Sequence, residues 1–425
     1  MAASQYDLQH RQEYSCGALR FPETSASDRC FMQRRSFLKG TGAVIVAVAG
    51  GGVWRAYDQG VFSVGEGPAY EPWKDWRKDS NDGSPLVLVR AAILAASPHN
   101  TQPWLFKVTN SSIELYIDTQ RNVGALDPYL REEHIGMGCA LENLMLAATA
   151  NGYAATVSLV PGELGPISAD PLPKLVARVD LARSNRQQSD LYDAIPRRHT
   201  NRSAYLPQKA IPPEFIDSLH RLTSDEPDVK IFLFTAEADR KRIAEISSAA
   251  NSELYSDPAV TRGSDRWIHT NWSAIQKHRD GLTPDAFGAP PIATAMIKMM
   301  PVRMLKWAAS RGPKDGYSRL MLSAPLIGIL AVPDRYGQPD CLRAGRIWQR
   351  AHLLATARGV AGRPCNEAVE MIDHEKSLGE PPKRAGLLAE IIGDTKWQPT
   401  FVFYMGYSKW TARASPRRPV KDVVV

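Results

Sequence analysis

The sequence predicts an α+β fold that is internally duplicated, so that one chain forms a pseudo-dimer. Residues 148–152 and 355–359 are near copies, Ala-Thr-Ala-Asn-Gly and Ala-Thr-Ala-Arg-Gly. The same offset pairs Gly138 with Gly345. Both copies close a stretch with apolar residues at i, i+3 and i+4, which is typical of a helix that ends at a left-handed glycine. Self-similarity at a fixed offset indicates two equivalent halves.

Each predicted helix follows a β-rich run, 113–118 in the first half and 326–333 in the second. A stretch rich in Gly and Pro at 162–173 suits a hinge between the halves. We therefore expect a first half over 71–180 and a second half over 190–425, each within the usual size of a domain.

Composition indicates a globular protein without a nucleic-acid groove. The chain has 425 residues, of which 44% are hydrophobic and 23% charged. The net charge of +7 is spread thinly, whereas a nucleic-acid groove needs a basic stripe. The odd cysteine count and the lack of any CxxC argue against a disulfide framework and against a metal site. The cysteines are Cys16, Cys30, Cys139, Cys341 and Cys365.

Residues 1–70 carry the features of an export signal. Residues 33–39, Gln-Arg-Arg-Ser-Phe-Leu-Lys, form a twin-arginine box, and a small-residue apolar stretch follows over 40–53. That stretch is shorter than the ~20 residues of a membrane span. We expect export by the Tat machinery, to the periplasm or to an anchor on the outer face of the inner membrane. A basic tail before a buried helix is the alternative.

Residues 96–104, Ala-Ser-Pro-His-Asn-Thr-Gln-Pro-Trp, form the first candidate binding motif. Ser97, Asn100 and Gln102 offer donors and acceptors on a loop that two prolines stiffen. Such a loop suits the polar edge of a heteroaromatic ring. A plain connection between the predicted helix 86–95 and the next strand is the alternative.

Two basic motifs are candidates for binding phosphate. Residues 198–202, Arg-His-Thr-Asn-Arg, place two guanidinium forks around a hydroxyl, a donor set that can clamp a phosphate. Residues 415–419, Ser-Pro-Arg-Arg-Pro, hold a second basic pair after the predicted strand 399–407. Either motif alone could be a solvated charged surface.

The segment 255–314 fits neither copy of the repeat. It is rich in Trp and Met, and prolines interrupt it. An insertion of this size and apolar content is often a lid over a ligand site. A helical pair packed on the core is the alternative.

Together the three motifs resemble those of the FMN-dependent nitroreductase superfamily, in particular its tandem, single-chain branch that includes the mycobacterial Acg proteins. By that resemblance, Arg198, Thr200 and Arg202 hold the FMN phosphate with Arg417 or Arg418. The resemblance also implies a flavin lined by Ser97, Pro98, His99, Asn100, Gln102, Pro364, Cys365 and Asn366. The first half has the loop and the second has the clamp, so motif placement predicts one composite FMN site per chain.

The resemblance implies an oxidoreductase that passes hydride through the flavin N5 to nitro, quinone or similar electron-poor compounds. Its small-molecule electron donor could be NAD(P)H, although the chain has no dinucleotide fingerprint. We assign no catalytic side chain and expect a monomer with pseudo-dimeric halves. The alternatives are a protein that sequesters FMN under a lid and a structural protein whose flavin site has decayed.

Overall fold

The computed structural model describes residues 51–78, 83–168, 172–301, 304 and 316–425. The chain divides into two units, Met1–Trp54 and Arg55–Val425. Residues 51–54, the described part of the first unit, are helical. The twin-arginine box and most of the apolar stretch after it lie outside the described residues, and so do 302–303 and 305–314 of the predicted lid. Both sheets and the helices that cover them belong to the second unit, Arg55–Val425.

In the described part of the chain, eight strands form two antiparallel sheets with the same strand order. The first sheet has the order β1-β2-β4-β3 and the second has β5-β6-β8-β7. In both sheets the register shifts once between the two central strands. The strands are β1 Trp104–Val108, β2 Ser112–Ile117, β3 Tyr153–Leu159, β4 Lys174–Arg183, β5 Lys230–Phe234, β6 Leu326–Val332, β7 Ala361–Pro364 and β8 Gln398–Gly406.

Helices join and cover the sheets, which confirms the mixed helix-and-sheet prediction. Two of them, α3 and α11, have 20 residues each and lie at the centre of the molecule. The helices are α1 Glu71–Lys74, α2 Leu86–Ala92, α3 Arg131–Ala150, α4 Asp190–Ala194, α5 Pro213–Arg221, α6 Glu237–Leu254, α7 Pro258–Asp265, α8 Trp272–His278, α9 Pro291–Met299, α10 Gly316–Leu322, α11 Gln338–Ala357, α12 Glu367–Leu378 and α13 Lys383–Ile392.

The helices α3 and α11 cross at a pair of glycines, Gly138 and Gly345. A Cβ atom added to either glycine would lie 2.9 Å from the Cα of the other. Such a Cβ would also overlap a backbone carbonyl of the facing helix, that of Leu342 or Ile135. The helices therefore meet backbone to backbone, an approach that larger residues would prevent.

Polar contacts fix the rotation of the two crossing helices. Arg346 and Arg350 of α11 donate from Nε to the two carboxylate oxygens of Glu142 at 2.9 and 2.7 Å. One turn away, the buried Gln349 Nε2 donates to Asn143 Oδ1 at 2.7 Å. One hydrophobic core surrounds this pair and includes Trp104 of the first sheet and Phe401 of the second.

The chain ends on the sheet of the other half. The Phe106 amide of β1 donates to Val423 O at 2.7 Å, and the Val425 amide donates back to Phe106 O at 3.0 Å. The C-terminal residues thereby extend the first sheet at its β1 edge, where the described residues provide no further strand. Residues 407–422 connect β8 to this edge. On the way they contact the 96–104 loop at Asn100 and Gln102.

The predicted elements lie close to the observed ones. The β-rich runs 113–118 and 326–333 match β2 and β6, and the two repeated segments end in left-handed Gly152 (φ 80°) and Gly359 (φ 70°). The helix predicted over 86–95 ends at Ala92, because the residues after it turn into the loop. The first sheet runs to Arg183, past the expected end of the first half at 180. The duplication and its domain boundaries stay predictions.

The described part of the 255–314 segment forms three short helices, α7, α8 and α9, and packs against the first half. A backbone bridge from Trp267 to Leu282 closes it into a compact unit. Of the helices described, none combines the length and apolar character that a membrane crossing requires.

We expect the substitution Gly138→Ala to destabilise the protein by about 1–3 kcal/mol, because its methyl group overpacks the helix crossing. Urea unfolding would measure the loss. The control is Gly386→Ala in α13, where an added Cβ meets no atom within 4 Å. That change should stabilise by about 0.5–1 kcal/mol, since alanine favours a helix. Equal effects of the two substitutions would contradict close contact at Gly138.

Candidate functional site

One cavity collects residues from both halves of the molecule. It has about 1160 Å³ of free space, open solvent at its mouth included. Its wall is built by the 96–104 loop, α3, the 198–202 segment, the β7–α12 turn and the C-terminal segment. The lining residues are Ala96, Ser97, Pro98, His99, Asn100, Glu132, Ile135, Gly136, Cys139, Arg198, His199, Thr200, Arg202, Tyr255, Leu282, Trp348, Arg363, Pro364, Asn366, Glu367, Glu370, Phe401, Ser415 and Arg417.

The 96–104 loop has an unusual backbone. His99, Asn100 and Gln102 all have positive φ, at 44°, 58° and 52°. Side chains disfavour this region, and such residues cost about 1–3 kcal/mol each unless the surroundings hold them. Ser97 contributes to holding them, because its Oγ accepts the Gln102 amide at 3.1 Å. The loop packs on Gly136 of α3, where a Cβ would lie 3.3 Å from Ser97 and Pro98.

Asn100 joins the loop to two distant segments. Its Nδ2 donates to Pro416 O at 2.9 Å and to Gly281 O at 3.2 Å, and its Oδ1 accepts Arg417 Nη1 at 2.6 Å. One amide thus fixes the C-terminal segment and the 255–301 region around the loop. Because its own side chain is used in this way, Asn100 presents mainly its backbone and Cβ to the cavity.

Arg198 and Arg417 place two buried guanidinium groups at one end of the cavity, which we call the cationic end. Their residues are 2% and 3% exposed. Arg198 Nη2 donates to Leu94 O and Arg417 Nη2 to Ala95 O, both at 3.0 Å. In each, the Nε is buried without a hydrogen-bond partner. Arg417 also lies over the Trp73 ring, 4.7 Å from its centroid.

Arg202 lies at the same end, where it donates from Nη1 to Ala286 O at 3.3 Å. Within the described parts of the chain, no carboxylate pairs with Arg198, Arg202 or Arg417. Burial lowers the pKa of Arg198 and of Arg202 to about 10 and that of Arg417 well below its usual range. Buried cations without counter-ions are costly, so this end of the cavity favours an anionic ligand.

His352 lies behind the cationic end and is almost fully buried. Its Nδ1 accepts Arg198 Nη1 at 3.4 Å, and its ring packs on Trp348 with 4.9 Å between centroids. Burial, and then the positive charge of Arg198, hold the pKa of His352 well below its ordinary value. The neutral imidazole therefore orients Arg198 without adding a charge.

A second group of lining residues carries carboxyl groups, and we call this part of the wall the acidic end. Glu132 of α3 and Glu367 and Glu370 of α12 face the cavity there. Burial raises the pKa of Glu132 to about 8, against the positive charge of Arg131, which lowers it. Burial and then the charge of Glu132 raise the pKa of Glu370 well above its ordinary value. Glu367 instead accepts the Tyr317 hydroxyl. Glu132 and Glu370 were not predicted from the sequence, because their positions in the chain share no motif.

The structure brings most of the predicted site residues to one cavity. Those that line it are Ser97, Pro98, His99, Asn100, Arg198, Thr200, Arg202, Pro364, Asn366 and Arg417. Their ligand-binding roles stay predictions. Asn366 also anchors the turn, because its Oδ1 accepts the Val402 amide at 2.9 Å.

Three predicted residues do not line the cavity. Gln102 is buried behind the loop, where it donates to Arg279 O at 2.9 Å and accepts the Arg418 amide at 2.8 Å. Arg418 donates to Gln102 O at 3.1 Å and to Asp422 O at 2.6 Å, so it stabilises the C-terminal segment. Cys365 points into a separate hydrophobic cluster, with its Sγ 2.6 Å from the Tyr317 hydroxyl.

The Cys365 backbone is also used within the protein. Its amide donates to Val402 O at 2.7 Å, as part of the contact between the β7–α12 turn and β8. This N–H is therefore directed to the sheet. No group of His, Cys, Asp and Glu side chains in the described regions has the arrangement of a metal site.

Comparison with known proteins finds relatives in Mycobacterium tuberculosis. No family model matches the chain. A protein that carries the provisional name NAD(P)H nitroreductase Rv3131 is 35% identical over 124 residues, 28% of this chain and 33% of that protein. The chain thus spans a third of the length of this relative. Rv3127, a protein of undescribed function, is 24% identical over 79% of this chain and 91% of its own length.

Solved structures match about half of the chain. The FMN-dependent nitroreductase NfnB from Mycobacterium smegmatis, in complex with NADPH, is 16% identical over 55% of this chain and 96% of its own, with a TM-score of 0.32. A nitroreductase with bound FMN from Desulfitobacterium hafniense is 13% identical over 56% and 98%, with a TM-score of 0.33. At such low scores these superpositions do not by themselves assign an activity to this chain.

We expect acid to destabilise the protein through His352. Its pKa is lower in the folded state than in the unfolded chain, so the unfolded chain binds more protons as the pH falls below about 6.5. The free energy of unfolding should then fall by up to about 1.4 kcal/mol per pH unit for this group. Urea unfolding at pH ~7 and ~5 measures the slope. His352→Gln should reduce it, whereas His220→Gln, at an exposed position, should not.

Proposed function

We propose that the protein is an oxidoreductase of nitroreductase type that binds one FMN in this cavity. One observation carries the proposal: three arginines without carboxylate partners and the 96–104 loop, which come from distant parts of the sequence, line the same cavity. The 35% identity to an M. tuberculosis protein provisionally named an NAD(P)H nitroreductase supports the chemistry.

The donor set of the cationic end fits a phosphate. Arg198 and Arg417 each have a buried Nε that no protein atom accepts. Thr200, between Arg198 and Arg202, adds a hydroxyl to the lining. Guanidinium groups and a hydroxyl are the donors that phosphate prefers in proteins. A phosphate there would also neutralise cations that burial disfavours.

The middle of the cavity fits the flavin ring. The loop residues Ser97–Asn100 and the turn residues Pro364 and Asn366 all line the cavity. Trp348, Phe401 and Leu282 are apolar, so they would exclude water from a bound ring. When bound, FMN supplies a carrier that accepts and returns two electrons with hydride.

We also propose the two reactants and an origin of the fold by duplication. We infer a nicotinamide dinucleotide as the electron donor and a nitro compound, a quinone or a similar electron-poor compound as the acceptor.

The matching strand order of the two sheets and the glycine-to-glycine crossing of α3 and α11 support an origin by duplication. They also support a pseudo-dimer that needs no second copy of the chain.

We also propose export. The twin-arginine box at 33–39 supports passage by the Tat route to the periplasm or to the outer face of the inner membrane. That route carries folded proteins, which suits a chain that takes up its cofactor before it crosses.

A second candidate is sequestration of FMN. It is favoured by the 255–301 region, which supplies Tyr255 and Leu282 to the cavity wall. The contact between His99 Nε2 and Ser264 Oγ, at 2.7 Å, ties this region to the loop. A cover held in this way would restrict entry of a second reactant.

We expect purified protein to contain, or to bind, one FMN per chain. Arg198→Ala, Arg202→Ala and Arg417→Ala should each weaken FMN about ten- to hundredfold, because a charge-assisted contact contributes about 1.5–3 kcal/mol. They should leave affinity for riboflavin, which has no phosphate, nearly unchanged. The matched control is Arg197→Ala, whose exposed side chain donates to Asp193 O outside the cavity. Titration followed by flavin absorbance measures all four, and an equal loss of riboflavin would contradict a phosphate clamp.

Stopped-flow absorbance should separate the two candidates. An oxidoreductase should lose its flavin absorbance within seconds of mixing with NADH or NADPH and regain it when a quinone is added. A flavin that stays tightly bound and oxidised for minutes with either nucleotide would favour sequestration. Reduction by dithionite serves as the control, since it does not require a nicotinamide site.

A further inference from the structure

Glu370 is a buried acid that the proposed binding of FMN does not use. It lies on α12, its residue is 7% exposed, and its carboxyl group lines the cavity. In the regions that the structure describes, no hydrogen bond or ion pair engages this carboxyl group. A polar side chain that is this deeply buried normally has a partner, so its direction into the cavity indicates contact with a ligand.

Glu132 reaches the same end of the cavity from α3. Its only ion pair in the described structure is a long one, with Oε1 3.4 Å from Arg131 Nη2. Arg131 is committed elsewhere, because its Nε donates to Asp373 Oδ2 at 2.7 Å and it also donates to Thr400 O. Asp373 further accepts Arg335 Nη2 and the Tyr336 hydroxyl, both at 2.9 Å. Arg131 is therefore shared between the short pair with Asp373 and the longer pair with Glu132, and no cation in the described residues forms an ion pair with Glu370.

The surroundings of the two glutamates disfavour their ionised forms. Burial is the largest cause of the raised pKa of both groups. The charge of Arg131 opposes it at Glu132, whereas the charges of Glu132 and Glu367 add to it at Glu370. Two close carboxyl groups in a site poor in water hold at least one proton at neutral pH. The charged and titratable groups around them include Asp127 before α3, Arg131 in α3, Glu367 and Asp373 in α12, Tyr255 after α6, and Arg363 of β7, which lines the same cavity.

We propose that Glu370, with Glu132 beside it, is the proton donor to the acceptor that is reduced in this cavity, so that the acidic end selects acceptors whose oxygen becomes basic on reduction, such as quinones. The inference rests on the proposed function. A quinone becomes a hydroquinone by gaining two electrons and two protons. Hydride derived from NAD(P)H brings two electrons and one proton. The second proton comes from the Glu370 carboxylic acid, whose O–H bond breaks as the product O–H bond forms, and solvent then reprotonates the carboxylate.

Glu370 shares one cavity with the groups that would hold the ligand. The arginines of the cationic end, the loop and turn residues and the glutamates of the acidic end all belong to its lining. An acceptor oxygen that accumulates negative charge would be repelled by a carboxylate but stabilised by a carboxylic acid. Only the protonated form of Glu370 suits such an acceptor.

The test compares a quinone with ferricyanide, a one-electron acceptor that takes up no proton. The FMN-loaded protein is reduced with dithionite, and its reoxidation by each acceptor is followed in a stopped-flow instrument. We expect Glu370→Gln to slow reoxidation by 1,4-benzoquinone about tenfold or more, as for loss of a general acid. Its reoxidation by ferricyanide should match that of the wild type.

Two further variants and the pH dependence of the quinone rate provide additional tests of Glu370. Glu132→Gln should slow the quinone reaction less. The control is Glu375→Gln, a buried acid of α12 outside the cavity that accepts the Arg384 amide. With wild-type protein, the quinone rate should fall as rising pH ionises Glu370, whereas Glu370→Gln should show a flat profile. In infrared spectra, the carboxylic-acid C=O band should lose intensity in Glu370→Gln.

The outcomes separate this inference from the proposed function. Wild-type protein that binds no FMN would contradict both. Bound FMN with equal quinone rates in wild type and Glu370→Gln would contradict only the proton donor. Equal slowing of both acceptors would also overturn it, because that result would indicate altered access to the cavity. A carboxylic-acid band that Glu370→Gln leaves intact would show that the residue is ionised, which is incompatible with the donor role.

Discussion

The backbone contact between Gly138 and Gly345 is the constraint on which the rest of the structure depends. It brings α3 and α11 close enough for one hydrophobic core to serve both sheets. It also places the cavity residues of α3, such as Glu132 and Cys139, opposite Trp348 of α11. A wider separation of the helices would divide the core and pull the 96–104 loop away from the 198–202 segment. The composite site thus depends on two positions where no side chain is allowed.

A second constraint is electrostatic. The cavity is lined by arginines that no carboxylate pairs with and by Glu370, whose carboxyl group forms no ion pair in the described residues. Direct pairing of the two sets would be favourable, but no ion pair joins them in the described residues. Each set therefore keeps its unmet interactions, which is the condition under which a polar ligand gains most from binding. The cavity favours ligands of matching charge, because polar groups in its wall have no hydrogen-bond or ion-pair partner within the protein.

Much of the fold and part of the site could be predicted from the sequence. The repeated Ala-Thr-Ala-x-Gly segments located both long helices, and the β-rich runs located β2 and β6, because local periodicity determines such elements. The motifs also predicted the arginines of the cationic end. Arg198 and Arg202 belong to one short motif, and the C-terminal basic pair follows a clearly predicted strand. The choice between Arg417 and Arg418 was not predictable, because neighbours in an extended segment point in opposite directions.

Gln102 and Cys365 do not line the cavity because of the direction of their side chains. Gln102 and Cys365 belong to the right loop and the right turn, but positive φ at three loop positions and the pairing of β7 with β8 turn their side chains inward. The acidic end gave no local signal. Glu132 and Glu370 become neighbours only when α12 packs beside the start of α3, and a single sequence does not contain that contact.

The C-terminal segment has a consequence for synthesis of the chain. Arg417 completes the cationic end, and Val423–Val425 complete the edge of the first sheet. During translation, the first half therefore emerges with its sheet edge uncovered and with Asn100 lacking its partners in the C-terminal segment. The left-handed loop lacks these contacts of Asn100 until residues 416 and 417 have been synthesised. Asn100 thus takes its partners from positions 316 and 317 residues further along the chain, so the loop and the cationic end take their final form together.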